Sequence, residues 1–288
     1  MKKLSPLLLI LSLFLLTPAG VEAQESSLLW KVEADHLDEP SYLYGTMHLI
    51  CSEFKDIPDA AAEAFRSADI LALELDMSDP NMAGEMMMLG MNPDGKNIRS
   101  LMDDEGQKLL DAFFTQHYGV GLDQLGTMKP FMLSSMAMMP MISCNQEQAS
   151  IDAYFLNAAT ERDIPVVGLE TIAFQVGLFD NIPLQIQVDE LVKMIENPQE
   201  GKDEFNQLSQ LYASRDILAM YNLITEDEFW TTYKDVLLDS RNKAWIPVIK
   251  ELTSEQSAFI AVGAGHLAGE NGVINLLRAN GFTVTAVE

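Results

Sequence analysis

The sequence predicts an α/β protein: a central mixed sheet built from the N- and C-terminal segments, with a large helical insertion between them. Three observations carry this. Near the start, two strand-like stretches, "LLWKVEA" and "SYLYGTM", lead through a helical stretch to the apolar run "ILALELD". Near the end the alternation returns as "SAFIAVGAGH", "ENGVINLLRANG" and "FTVTAV". Between these ends, apolar residues recur mostly at three- and four-residue spacing, the period of an amphipathic helix.

The elements follow in order. Residues 1–23 predict a signal peptide: Lys2 and Lys3 precede an apolar run from Leu7 to Leu16, and Val21-Glu22-Ala23 offers small residues at cleavage spacing. That run is short for a membrane span, and no later stretch is long and apolar enough to be one. The expectation is an exported protein, periplasmic or secreted, with residues 24–288 as a single domain. Leu28 to Ala34 and Ser41 to Met47, separated by a polar turn ending at Pro40, read as a β-hairpin. A helix with Pro58 near its start and a buried strand from Ile70 follow. The insertion spans about 78–254. It holds several amphipathic helices, one ending at Gly119, and a short strand in "IPVVGLET".

The net charge is −25 over 288 residues. Such a chain repels nucleic acid and anionic lipid surfaces, so its expected partners are a peptide or a small molecule. A homo-oligomer stays open. The two cysteines, Cys51 and Cys144, suit a disulfide in an oxidising compartment. Two free thiols or a thiolate ligand are the alternatives.

Ligands in open α/β sheets bind beyond the carboxyl ends of the strands. Four predicted strands end on groups suited to metal or acid–base chemistry: His48, Glu74, Glu170 and His266. Gly45, Gly168 and Gly263 precede three of them, where a tight turn or a close backbone approach is expected. Two imidazoles and two carboxylates can hold manganese, cobalt or zinc and activate a bound water. Singly, each residue has a plainer use: a hydrogen-bonded structural histidine, or a carboxylate at the start of a helix. Arg241, in "DSRNKAW", can bind a substrate carboxylate or an oxyanion, or serve as an ordinary salt bridge. Asp152 can orient a ligand histidine or simply charge a helix start. His36, in a charged turn, and His117, at a helix end, read as surface residues.

There are 17 methionines. Met128, Met132 and Met136 recur at four-residue spacing and are read as one helix face. Thioethers can bind Cu(I), but such a stripe more often makes adaptable core or an apolar groove.

The segments "YLYGTMH", "LALELD", "VVGLET", "SRN..W" and "VGAGHLAGENGVINLLRANGF" together resemble the TraB/GumN family, which includes the animal Tiki proteins. The two GxxH motifs, one near each end, are the most specific part. The resemblance implies a fold related to erythromycin esterase and to haem-binding ChaN-like proteins. It also implies a divalent-metal-dependent protease. His48 and His266 fall on the family's GxxH histidines; Glu74, Glu170 and Arg241 fall on its other polar positions. The expected function is therefore an exported hydrolase acting on peptide bonds, with a metal held by His48, Glu74, Glu170 and His266. The alternatives are a metal-independent esterase-like hydrolase, a haem- or copper-binding protein, or an inactive binding protein.

Overall fold

In the computed structural model, residues 26–35, 37 and 39–288 are described. The expected signal peptide and His36 lie outside the described residues. The predicted hairpin forms: β1 (Leu29–Glu33) pairs antiparallel with β2 (Ser41–Thr46), Leu29 facing Tyr44. A short strand β3 (Ile50–Cys51) follows, then helix α1 (Asp59–Ser67), with Pro58 immediately before it, and β4 (Ile70–Leu73).

The middle is helical. In order come α2 (Met82–Leu89), α3 (Asp104–Tyr118), α4 (Leu122–Leu125) and α5 (Pro130–Met141). The short β5 (Gln148–Ala149), α6 (Ile151–Arg162), β6 (Val166–Gly168), α7 (Ile172–Leu178) and α8 (Leu184–Glu196) continue the chain. Then come α9 (Pro198–Ala213), α10 (Ile217–Glu226), α11 (Glu228–Lys234) and α12 (Ser240–Glu255). The last two helices are joined by a π-helical turn, Asp235–Asp239. β7 (Ala258–Gly263), α13 (Val273–Ala279) and β8 (Thr283–Val287) close the chain.

Six strands form one mixed sheet in the order β6-β4-β7-β2-β1-β8. β6, β4, β7 and β2 run parallel, and β1 is antiparallel to both its neighbours. The short strand expected in "IPVVGLET" joins the sheet of the two chain ends as β6. β6 comes from inside the insertion and pairs with β4, Leu71 facing Val166. The reason is physical: β4 is an all-buried "ILAL" strand whose backbone groups need a partner on both sides.

β7 is likewise buried from Ala258 to Val262. Phe259 projects from it into an aromatic cluster with Tyr44, Phe65 and Phe155, ring centroids 4.7 to 5.8 Å apart. Phe65 and Phe155 come from α1 and α6, so this cluster fixes both helices to the sheet. Such pairs add roughly 0.5–1.5 kcal/mol each beyond area burial. The helical middle has its own core, where Phe114 of α3, Leu133 of α5 and Leu191 of α8 meet. α3 is bounded as its sequence predicts. Asp103 accepts a hydrogen bond from the Gly106 amide, and Gly119 ends the helix at φ 75°.

Cys51 and Cys144 are joined in a disulfide, and β3 pairs with β5 beside it. The methionine stripe is corrected. Pro130 occupies the first turn of α5, so Met128 lies before the helix, opposite Met91 in a lone bridge. Met128 and Met136 both pack against the second core.

Candidate functional site

The sheet brings four strand ends to one side. β2, β4, β6 and β7 are parallel, and His48, Glu74, Glu170 and His266 lie one to three residues beyond their carboxyl ends. Glu74 sits at the centre. Its Oε1 accepts the Gly263 amide at 2.8 Å and is 3.7 Å from His48 Nε2 and 3.8 Å from His266 Nε2. The two histidines, more than two hundred residues apart in sequence, thus border a single carboxylate oxygen.

Each imidazole is held by its other nitrogen. His48 Nδ1 lies 2.8 Å from Asp152 Oδ2, and Thr46 Oγ1 donates to Asp152 Oδ1 at 2.8 Å. Asp152 is buried at the start of α6, so it both charges a helix start and holds a histidine. His266 lies in a 3₁₀ turn after β7, and its Nδ1 is 2.6 Å from Asn242 Oδ1. Both Nε2 atoms are thereby directed towards Glu74.

Arg241 ties the remaining groups together. Nε donates to both oxygens of Glu170, and Nη2 donates to Glu170 Oε1 at 2.5 Å and to Glu74 Oε2 at 2.6 Å. Nη1 reaches the Leu237 carbonyl at 3.3 Å and His266 Nε2 at 3.1 Å. A guanidinium has five N–H groups, and these contacts occupy them all. Arg241 therefore fixes three site residues and has no donor to spare for an oxyanion. Glu170 is saturated in the same way, because Trp245 Nε1 and Gln175 Nε2 also donate to it, at 2.9 and 3.1 Å.

The environments set the charges. Desolvation would lower the pKa of His48, but its side chain keeps 64% of its surface exposed. The hydrogen bond to Asp152 and the charge of Glu74 prevail and raise it to about 9. His266 is buried, and burial, reinforced by Arg241 and His48, lowers its pKa to about 3 against the pull of Glu74. Burial works to raise Glu74, but His266, His48, Arg241 and the Gly263 amide outweigh it and hold the carboxyl well below its usual range. Glu74 is thus a buried carboxylate, with His266 neutral and His48 cationic in the absence of a metal.

The donor set can be tested against a divalent ion. Among the described residues, no three His, Cys, Asp or Glu side chains close into a ready-made metal cage. The donor chemistry fits nonetheless. A Cβ built on Gly263 would lie 3.2 Å from Glu74 Oε1 and 3.8 Å from His48 Nε2, so the glycine keeps a small space open beside these donors. His48 Nε2, His266 Nε2 and Glu74 Oε1 are the atoms that would hold the ion.

The glycines act by close approach. Gly45 lies within β2, so of its two expected uses it serves the close approach and not the turn; a Cβ there would sit 2.8 Å from Leu267 Cδ1. At Gly168 a Cβ would meet backbone atoms of Asp76 and Glu170 at 2.7 and 2.8 Å. His117 lies away from these groups, its ring 4.6 Å from that of Phe113. The sequence reading missed Asn242 and Gln175. Asn242 had a faint signal, a polar residue three before Trp245 on what reads as a buried helix face.

These features define an α/β protein with an imidazole–carboxylate site built on the carboxyl ends of parallel strands. The chain belongs to the TraB/PrgY/gumN family, whose model matches residues 28–286. It is similar to Metalloprotease TIKI2 of Danio rerio, 22% identical, over 90% of this chain and 60% of that protein. Metalloprotease TIKI1 of Xenopus tropicalis is 23% identical over 91% of this chain and 62% of its own length. Metalloprotease TIKI1 of Homo sapiens gives the same figures. The chain thus spans about 60% of the length of the curated relatives it matches. No solved structure matches it.

Proposed function

We propose that this chain is a hydrolase that cleaves peptide bonds with the help of a divalent cation. The observation that carries this is the pair of Nε2 atoms flanking Glu74 Oε1, each imidazole held from behind by a side-chain oxygen. The relatives' names, all of them metalloproteases, support the reaction class. A cation such as manganese, cobalt or zinc would lower the pKa of a bound water and polarise a substrate carbonyl.

The chain's own residues do the rest. His48, the exposed member, meets solvent and substrate, while Asp152 fixes its ring. Glu74 supplies negative charge in a dry setting, where it acts more strongly than in water. Glu170 and Arg241 are reassigned from ligand and oxyanion binder to positioning: Glu170 anchors Arg241, and Arg241 aligns Glu74 with His266.

The test is direct. Purified protein loaded with manganese, cobalt or zinc should cleave peptides, and His48→Ala or His266→Ala should lower the rate by about 10²–10⁴-fold. No bound ion and no His48-dependent cleavage with any of the three metals would sink the reading. One contact favours a second, metal-independent reading: Arg241 Nη1 already occupies the His266 Nε2 lone pair at 3.1 Å. There His48, backed by Asp152, would activate water itself once deprotonated, so activity would survive chelators and rise as pH approaches about 9.

We further propose that the protein is exported. The signal-like residues 1–23 and the Cys51–Cys144 disulfide support this. Among the described residues no helix is long and apolar enough to cross a membrane. Cleavage between residues 23 and 24, read by mass spectrometry of protein from the periplasm or medium, checks it.

A further inference from the structure

Behind His266 lies a buried polar chain that the sequence does not announce. Asn242 Oδ1 is 2.6 Å from His266 Nδ1, and Asn242 Nδ2 donates to the Asn271 carbonyl at 2.9 Å and the His266 carbonyl at 3.4 Å. Asn271 Nδ2 in turn donates to Asp239 Oδ2 at 3.0 Å, and Lys234 Nζ donates to that same oxygen at 2.5 Å. Asn242 and Asp239 are 2% and 6% exposed, so water does not substitute for these partners. Asp239 ends the π-helical turn that leads into α12. Such turns recur at functional sites, where the extra residue re-aims the side chains that follow.

Two independent constraints fix the proton on His266. The amide nitrogen of Asn242 faces two carbonyls, so its oxygen faces the imidazole and can only accept; Nδ1 must carry the hydrogen. On the other side Arg241 has donors and no acceptor, so Nε2 must present its lone pair. Consecutive residues of α12 therefore specify one tautomer from opposite sides of the ring.

We propose that Asn242 is a positioning residue that locks His266 as the Nδ1–H tautomer, and that Asn271, Asp239 and Lys234 hold Asn242 in the orientation this requires. The lock turns an Nε2 lone pair towards Glu74, where a divalent cation or a substrate proton would meet it. The proposal concerns the same site as the peptide-hydrolase reading and rests on that reading for its purpose, but its test reads the proton directly.

The experiment uses protein labelled with nitrogen-15 histidine, with the His266 signals assigned by comparison with His266→Gln. Long-range proton–nitrogen correlations at neutral pH in a chelator should show a protonated Nδ1 and an unprotonated Nε2. Asn242→Leu, which leaves the Arg241 contact as the remaining constraint, should raise the Nε2–H fraction of His266 above that of wild type and weaken zinc affinity at least about tenfold. Asn242→Asp, which can still accept from Nδ1, should keep the Nδ1–H form. Asp239→Asn should move the tautomer in the same direction as Asn242→Leu, and less. A wild-type His266 carrying its proton on Nε2 overturns the proposal without recourse to any variant. So does an Asn242→Leu protein in which neither the Nε2–H fraction nor the zinc affinity changes. If the tautomer behaves as expected but no peptide is cleaved, the lock stands and the hydrolase reading fails.

Discussion

At the scale of single residues, the site is governed by what surrounds two imidazoles. His48 is exposed and backed by a carboxylate, while His266 is buried beside Arg241, so identical rings differ in charge, one cationic and one neutral. The difference has a pH consequence for the metal-free protein. A histidine whose folded pKa of about 9 exceeds its ordinary 6.5 stabilises the fold fully below pH 6.5. That contribution is lost as pH rises through about 9. In a chelator, the stability gap between wild type and His48→Gln should therefore be widest near pH 6 and shrink as pH is raised; a gap that widens instead contradicts the pairing with Asp152. Gly263 offers a sharper probe. Gly263→Ala places a methyl 3.2 Å from Glu74 Oε1, in the space that separates the donors. Divalent-ion binding, read by calorimetry, should fall at least about tenfold, with a melting temperature within a few degrees of wild type. Unchanged affinity would mean that the ion binds elsewhere.

At the scale of elements, the carboxyl ends of four parallel strands do the positioning, and the segments just beyond them must be held. The loop after β2 carries His48 and is pinned by the Cys51–Cys144 disulfide and by the β3–β5 pair. The bridge spans a separation of 93 residues. Closing a loop of that order contributes roughly 2–4 kcal/mol in typical cases. Cys51→Ser with Cys144→Ser should lower the denaturant midpoint accordingly, and should weaken ion binding beyond what lost stability explains. An unchanged midpoint would show that the β3–β5 pair suffices. Much of this was legible beforehand. "YLYGTMH" and "VGAGH" are apolar runs that stop on histidines, and parallel strands must deliver their ends to one side. What could not be read was the partner of each polar group. Arg241 carries motif weight in the sequence, but only the fold shows all five of its N–H groups consumed. Asn242 is one polar letter in an amphipathic helix until α12 packs against α13, with the Trp245 ring 4.6 Å from that of His266, and so sets Asn242 beside His266.

At the scale of the whole molecule, the sequence marks the short strand of "IPVVGLET" but not its place in the sheet. Three residues, Val166–Gly168, are too few for periodicity to say which strand they pair with. Their pairing with β4 depends on a neighbour nearly a hundred residues earlier. The join between the two chain ends was easier to foresee, and it has a use. β1 and β8 lie side by side in the sheet, and Ser27 Oγ donates to the Val287 carbonyl at 2.7 Å. The start and finish of the described chain are therefore neighbours. Circular permutation exploits that arrangement: a short glycine–serine bridge from residue 288 to residue 26, with new ends opened between Gly95 and Lys96, should give a chain that folds with an unchanged circular-dichroism spectrum. The order in which the strands are synthesised would change, while His48 and His266 would come to lie only a few dozen residues apart along the chain.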